Sequence, residues 1–279
     1  MAKLKAFFTR FGRILRWAYR LVLLLLIADL VYLAAIWPDW KPYASGPLPK
    51  SRFIQVYEEQ RAQHKDWPSL RWQPVPIASL PPALLRAVIV AEDSRFYRHG
   101  GFDIAAIREA FDYNLDKGRI VRGASTISQQ TAKNLFLTPA RSPIRKWHEL
   151  VLTWALEQNL HKQRILEIYL NSVEFGQGIY GAEAAAQAYW GIPAAKLSAA
   201  QAAELAATLP SPIKSNPAQR TEFFLKRSQR ILGLLGRDFP VPEDALAPER
   251  RGVFFRRLSR EPPPRRRGPR AVIMPRSLS

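Results

Sequence analysis

The chain reads as mainly α-helical, with one N-terminal membrane-spanning helix. Three observations give that class. A long apolar run follows a basic start, and apolar residues recur at helical spacing through most of what comes after. Between that run and about residue 236 no convincing apolar/polar alternation of four or more residues occurs, so strand is limited to a short hairpin expected near residues 52–57 or 119–124.

Composition bounds the alternatives. Apolar residues make up 47% of the 279 and charged residues 23%, ordinary values for a globular chain. That length holds one domain with an anchor and a tail. The formal charge of +19 is unevenly spread: six units lie before Leu21, six lie beyond Gly236, and the body between carries the remaining seven. A basic cluster beside an apolar run is drawn to anionic lipid headgroups at about 1 kcal/mol per Lys or Arg. The charge therefore implies a membrane partner and no nucleic acid. With no cysteine, structural disulfides and thiolate metal sites are excluded.

Residues 1–20 form the basic segment, with Lys3, Lys5, Arg10, Arg13, Arg16 and Arg20 and no acid. Residues 21–37 form the anchor. Counted from Ile14 the helical stretch reaches about 24 residues, more than the roughly 30 Å of bilayer hydrocarbon requires at about 1.5 Å per residue. Basic residues before it and Trp37 and Trp40 after it place the N-terminus in the cytoplasm and the body outside. A cleaved signal peptide shares the charged start, but Leu33-Ala34-Ala35-Ile36-Trp37 is a poor cleavage sequence. Asp29, near mid-span, costs about 2.5 to 3.5 kcal/mol on insertion scales and calls for a partner or a proton.

Residues 38–50, rich in Pro and Gly, read as a linker to a body at 51–236. Pro81-Pro82 can open a helix whose Leu84, Ala87, Val88 and Ala91 share one face and which ends at Glu92. Asp103 is a plausible N-cap for a helix with Ile104, Ile107, Phe111 and Leu115 on one side, stopped at Gly118. Thr126 and Gln129 fit a capping box, and Thr126, Gln129, Gln130 and Lys133 make one face polar. Trp147, Leu150, Val151 and Trp154 repeat the helical period, and a further helix runs from about Lys162 to Asn171. Ser198 and Gln201 form a second capping box, opening an Ala-rich helix before Pro210. Residues 237–279, Arg- and Pro-rich, read as a disordered tail.

Two carboxylates and a cluster of cations stand out chemically. Glu92, at the negative end of a helix dipole and partly buried, has the surroundings that raise a carboxyl toward a useful base. Lys133, Arg141, Arg145 and Lys146 put four cations within fourteen residues, the equipment for a leaving group that develops negative charge. Arg145 and Glu149 are also spaced as a simple helix pair worth a few tenths of a kcal/mol. Other patterns fail on context. Gly176-Gln-Gly178-Ile-Tyr-Gly181 matches a dinucleotide fingerprint but follows a helical pattern where a strand is required. His148-Glu149 lacks a second His at 152, and Ser211-Pro-Ile-Lys214 lacks a Lys-Thr-Gly partner.

Taken in order, Glu92-Asp93 with Phe96, His99 and Gly101, then Gly123 to Gln130 with Lys133-Asn134, then Arg145-Lys146 with Glu149, then Lys162 to Asn171 running into Gly176, Gly178 and Gly181, resemble the signature of the peptidoglycan glycosyltransferases (glycosyltransferase family 51), most closely the monofunctional biosynthetic transglycosylases. The resemblance covers roughly residues 50 to 235. It implies a lysozyme-like helical lobe with a smaller membrane-proximal lobe, in a single-pass protein of the bacterial inner membrane with a periplasmic catalytic domain. It further implies an inverting transfer of a lipid-linked glycan chain onto the 4-hydroxyl of lipid II, releasing undecaprenyl pyrophosphate. On this footing Glu92 is the base, Glu149 the second essential carboxylate near the phosphates or a divalent Mg or Mn ion, and Lys133 and Arg141 bind the pyrophosphate. Asp93, Phe96, His99, Ser125, Thr126, Gln129, Gln130, Asn134, Arg145 and Lys146 are assigned to the substrate site, with His99 expected to orient a carboxylate or backbone. No organic cofactor is implied. Other cell-wall synthesis or division proteins are the partners implied for the anchor, with Asp29 contacting one of their helices. The rivals are a lysozyme-like lytic transglycosylase or muramidase and a silent membrane scaffold.

Overall fold

The computed structural model describes residues 2–140 and 142–236, with side chains from residue 10 onward. The tail expected at 237–279 and Arg141 lie outside the described residues.

The fold is mainly helical. Helix α1 (Ala2–Ala35) runs unbroken through the basic segment and the apolar run, and its stretch Arg10–Ala35 is long and apolar enough to cross a membrane. A one-turn helix α2 (Lys41–Ala44) follows. It is held against the body by its neighbours: the rings of Trp40 and Tyr43 meet Phe136 edge-on at 5.5 and 5.2 Å. Arg164 donates from Nε to the Tyr43 carbonyl at 2.7 Å and from Nη2 to the Gly46 carbonyl at 2.8 Å. The segment 38–50 thus connects anchor and body while fastened to the latter.

Residues 52–57 form no hairpin; they open helix α3 (Arg52–Gln63). Ser51 accepts the Ile54 amide as N-cap, and Ile54, Val56 and Tyr57 bury together as a helix face would. The hairpin lies instead at β2 (Glu174–Gly176) and β3 (Ile179–Tyr180), with β1 (Arg71–Trp72) parallel to β3 in the order β1-β3-β2. Glycines decide this. Gly178 turns the chain at φ +73° with the Tyr57 ring against its Cα, and Gly181, at φ +85°, backs onto the Asn171 backbone. The apparent dinucleotide fingerprint is the geometry of this turn.

Helix α4 (Pro82–Glu92) buries Leu84, Leu85, Val88 and Ile89 against α10 (Ala199–Thr208) and α11 (Glu222–Leu235). Helix α6 (Ile127–Phe136) packs on α7 (Pro143–Asn159) and α8 (Lys162–Ser172). Helix α9 (Ala182–Trp190) closes over the hairpin. One core joins these groups, with Phe96, Tyr169, Phe175 and Phe224 fully buried in it. Both expected capping boxes are present, at Thr126/Gln129 and Ser198/Gln201.

Helix α5 (Ile104–Asp116) is different. Asp103 caps it as expected, accepting the Ala106 amide at 2.8 Å, yet Ala110 is its sole buried residue. Ile104, Phe111 and Leu115 are 64%, 64% and 70% exposed. Beside them α7 exposes Trp147 and Trp154, and Phe102, Ile104, Ile107, Trp147, Leu150, Val151 and Trp154 line one wholly apolar groove.

Candidate active site

Glu92 is the last residue of α4, so the helix that seals the core delivers its carboxylate to the rim of a cleft. The side chain is about 12% exposed. Its Oε2 accepts from the Gln130 amide nitrogen at 2.9 Å, and its Oε1 takes Arg227 Nη2 at 2.8 Å. Tyr169, fully buried, donates its hydroxyl to Gln130 Oε1 at 3.1 Å and so fixes which end of the amide faces Glu92. Burial pushes the Glu92 carboxyl above the ordinary glutamate range, and Gln130, Arg227 and Lys133 pull in the opposite direction without overcoming it. A cavity of about 350 Å³ opens beside it, walled by Asp93, Arg95, Asp103, Arg122, Ser125 and Thr126 among others.

Asp93, one residue on, is turned inward. It accepts the Ile127 amide at 3.0 Å and pairs with His99 Nε2 at 2.9 Å, so His99 orients a carboxylate. Asp93 thereby ties the end of α4 to the first residue of α6. Phe96 is fully buried, with Lys162 Nζ 4.5 Å above its ring. Thr126 donates to the Gly101 carbonyl at 2.6 Å and shares its capping box with Gln129. Asn134 is buried on α6, while Ser125 is exposed on the loop beside the cavity. The sequence motif thus divides into side chains that face the cleft and side chains that build its wall.

On α7, Glu149 is buried and held by two cations of its own helix, Lys146 at 2.5 Å and Arg145 at 3.0 Å. The helix pair anticipated for Arg145 is present, and Lys146 completes a triad. Lys133, on α6, stands within electrostatic range of both carboxylates. Burial lowers its pKa, and so do Arg145 and Lys146, whereas Glu149 and Glu92 raise it. Lys133 is thus the cation of α6 that interacts with both glutamates.

The donor set around Glu149 does not suit a divalent ion. Both its oxygens are taken by cations, and an ion would have to displace them. Among the described residues the one cluster of three ligands close enough to share an ion is Asp93, His99 and Asp103, whose carboxylates already serve Ile127, Ala106 and Arg95.

Arg227 was not expected. It lies 135 positions from Glu92 on α11, and no local spacing marks it. Tyr169 was likewise hidden, inside a run that reads only as a buried helix face.

A family model described as Transglycosylase matches residues 60–235. This chain belongs to the transglycosylase family. Among its relatives, a biosynthetic peptidoglycan transglycosylase of Nitrosospira multiformis is 42% identical over 218 residues, covering 78% of this chain and 95% of that one. One from Caulobacter vibrioides is 44% identical over 79% and 92%, and one from Burkholderia thailandensis is 50% identical over 60% and 64%. The matched region begins within α3 and ends at the last residue of α11, so family membership spans every element that contributes to the cleft.

Proposed function

We infer that the protein is a peptidoglycan glycosyltransferase that extends glycan chains from lipid II. The observation that carries this reading is the pairing of unlike carboxylates that both act on Lys133: a half-buried Glu92 with raised proton affinity, and the Glu149 of the Arg145–Lys146–Glu149 triad.

The transfer needs a base for the acceptor hydroxyl and counter-charge for the leaving group. Glu92 Oε2 or Oε1, released from its amide or guanidinium partner, takes the proton of the 4-hydroxyl as that oxygen attacks the anomeric carbon of the lipid-linked chain with inversion. The bond to the diphosphate breaks, and Lys133, Lys146 and Arg145 take up its charge. Glu149 holds the latter two in place. A lytic enzyme, the nearest rival, also uses a single glutamate but has no diphosphate to neutralise, and the cation cluster favours synthesis. A silent scaffold would leave the buried, charged cleft without a purpose.

The apolar anchor and the exposed apolar face of α5 and α7 support an enzyme working against lipid. The basic segment before the anchor favours a cytoplasmic N-terminus, with the catalytic domain on the outer side of the bacterial inner membrane. The side of α1 turned away from the body remains for lipid or for other cell-wall synthesis or division proteins.

Incubation of the purified protein with labelled lipid II tests the reading. Polymer is the expected product; shortened glycan from preformed polymer, or no change at all, would refute it.

A further inference from the structure

Asp29 has a partner within its own chain. Although it lies in the apolar stretch of α1, Asp29 Oδ1 meets His148 Nε2 at 2.6 Å and Oδ2 accepts from Trp147 Nε1 at 3.0 Å. Around this contact Tyr32 lies 4.8 Å from the His148 ring between centroids, Leu33 is buried, and Ile36 packs on Ala132, Leu137 and Leu152. The C-terminal end of the anchor helix therefore meets the start of α7 at Trp147 and His148.

What Asp29 grips matters more than that it is satisfied. Residues 143 to 147 of α7 are exposed or half-buried, and full burial starts at His148. That same opening stretch carries Arg145 and Lys146, with Glu149 next after His148. We propose that Asp29 is a positioning residue for the leaving-group end of the site, clamping Trp147 and His148 so that the first two turns of α7 hold Arg145, Lys146 and Glu149 toward Lys133. The inference rests on the function given above. An apolar residue at 29 would pack as well, but the two hydrogen bonds add direction, holding the exposed first turn of α7, ahead of the buried face at Leu152 to Leu156, in one setting.

The test uses the full chain in lipid vesicles, with no other protein present, and follows polymer formation against lipid II concentration for Asp29→Leu, Asp29→Asn and His148→Leu. Asp29→Leu should raise KM about tenfold, the scale of losing hydrogen bonds to a charged acceptor, with kcat within about threefold and an unchanged unfolding temperature. Asp29→Asn, whose carbonyl oxygen still accepts, should return KM to within about threefold of the parent. The double variant Asp29→Leu/His148→Leu should be no worse than the poorer single one, as members of one unit are. An unchanged KM in Asp29→Leu, a loss that appears only as lower kcat with a lower unfolding temperature, or a defect seen in cells and absent from vesicles would each overturn the clamp. If the parent makes no polymer, the function fails instead, and amide hydrogen exchange still reads the clamp: faster exchange over residues 143–149 in Asp29→Leu supports it, and unchanged exchange there refutes it.

Discussion

Glu92 is half-buried at the end of α4 and Glu149 is buried within α7, and their neighbours differ in kind. Glu92 sits at the end of its helix with one neutral amide and one guanidinium, contributed by α6 and α11. Glu149 sits within its helix between two cations from the preceding turn. Burial wins at Glu92 and lifts its proton affinity. At Glu149 two full positive charges answer one negative charge. The difference teaches that burial dominates at one carboxylate while the other is organised by the cations it pairs with.

The largest test of that contrast is Glu92→Gln. Polymer formation should fall by about three orders of magnitude while lipid II still binds, the usual scale for losing a general base. Retained activity would break the comparison outright. The same substitution reads stability. A raised folded-state pKa means that Glu92 favours the fold when protonated and loses that contribution as pH rises through its folded pKa. Glu92→Gln should therefore raise the unfolding temperature at neutral pH and leave it unchanged well below the ordinary glutamate pKa.

Next in size, Glu149→Gln should lower kcat/KM about a hundredfold, much of it through a higher KM, because Arg145 and Lys146 lose the group that aligns them. Equal losses in kcat alone would make Glu149 a second base. A smaller effect is expected at Arg227, whose charge pulls the Glu92 pKa down. Arg227→Gln should move the acid limb of the kcat/KM profile to higher pH, and a limb that stays in place would remove Arg227 from the account. Smallest is Thr126→Ala, which breaks the cap of the helix carrying both Gln130 and Lys133. It should cost about 1 kcal/mol in urea unfolding and disturb both glutamates equally.

Much of the fold was legible because its signals are local. The start and end of α4, the caps of α5, α6 and α10, and the extent of α8 each depend on residues within one or two turns. Periodicity could also say that α4 and α5 have apolar faces, but not what covers them. The face of α4 is sealed by α10 and α11, while the face of α5 is open, since the same spacing serves a protein core or a lipid surface. At the site, Glu92, Lys133 and Glu149 announced themselves through motif order. Arg227, Tyr169 and the Asp29–His148 contact did not, because each is a pairing between distant segments. The hairpin was misplaced for the opposite reason: Ser51 and the spacing of Ile54 and Tyr57 favour a helix turn, while the true hairpin rests on glycine conformations that no alternation reveals.

Arg164 holds the carbonyls of Tyr43 and Gly46, so the stretch between anchor and body has no slack. Through those two bonds a side chain of α8, deep in the body, grips the chain just after the anchor, so a strain applied to α1 reaches the core by a short path.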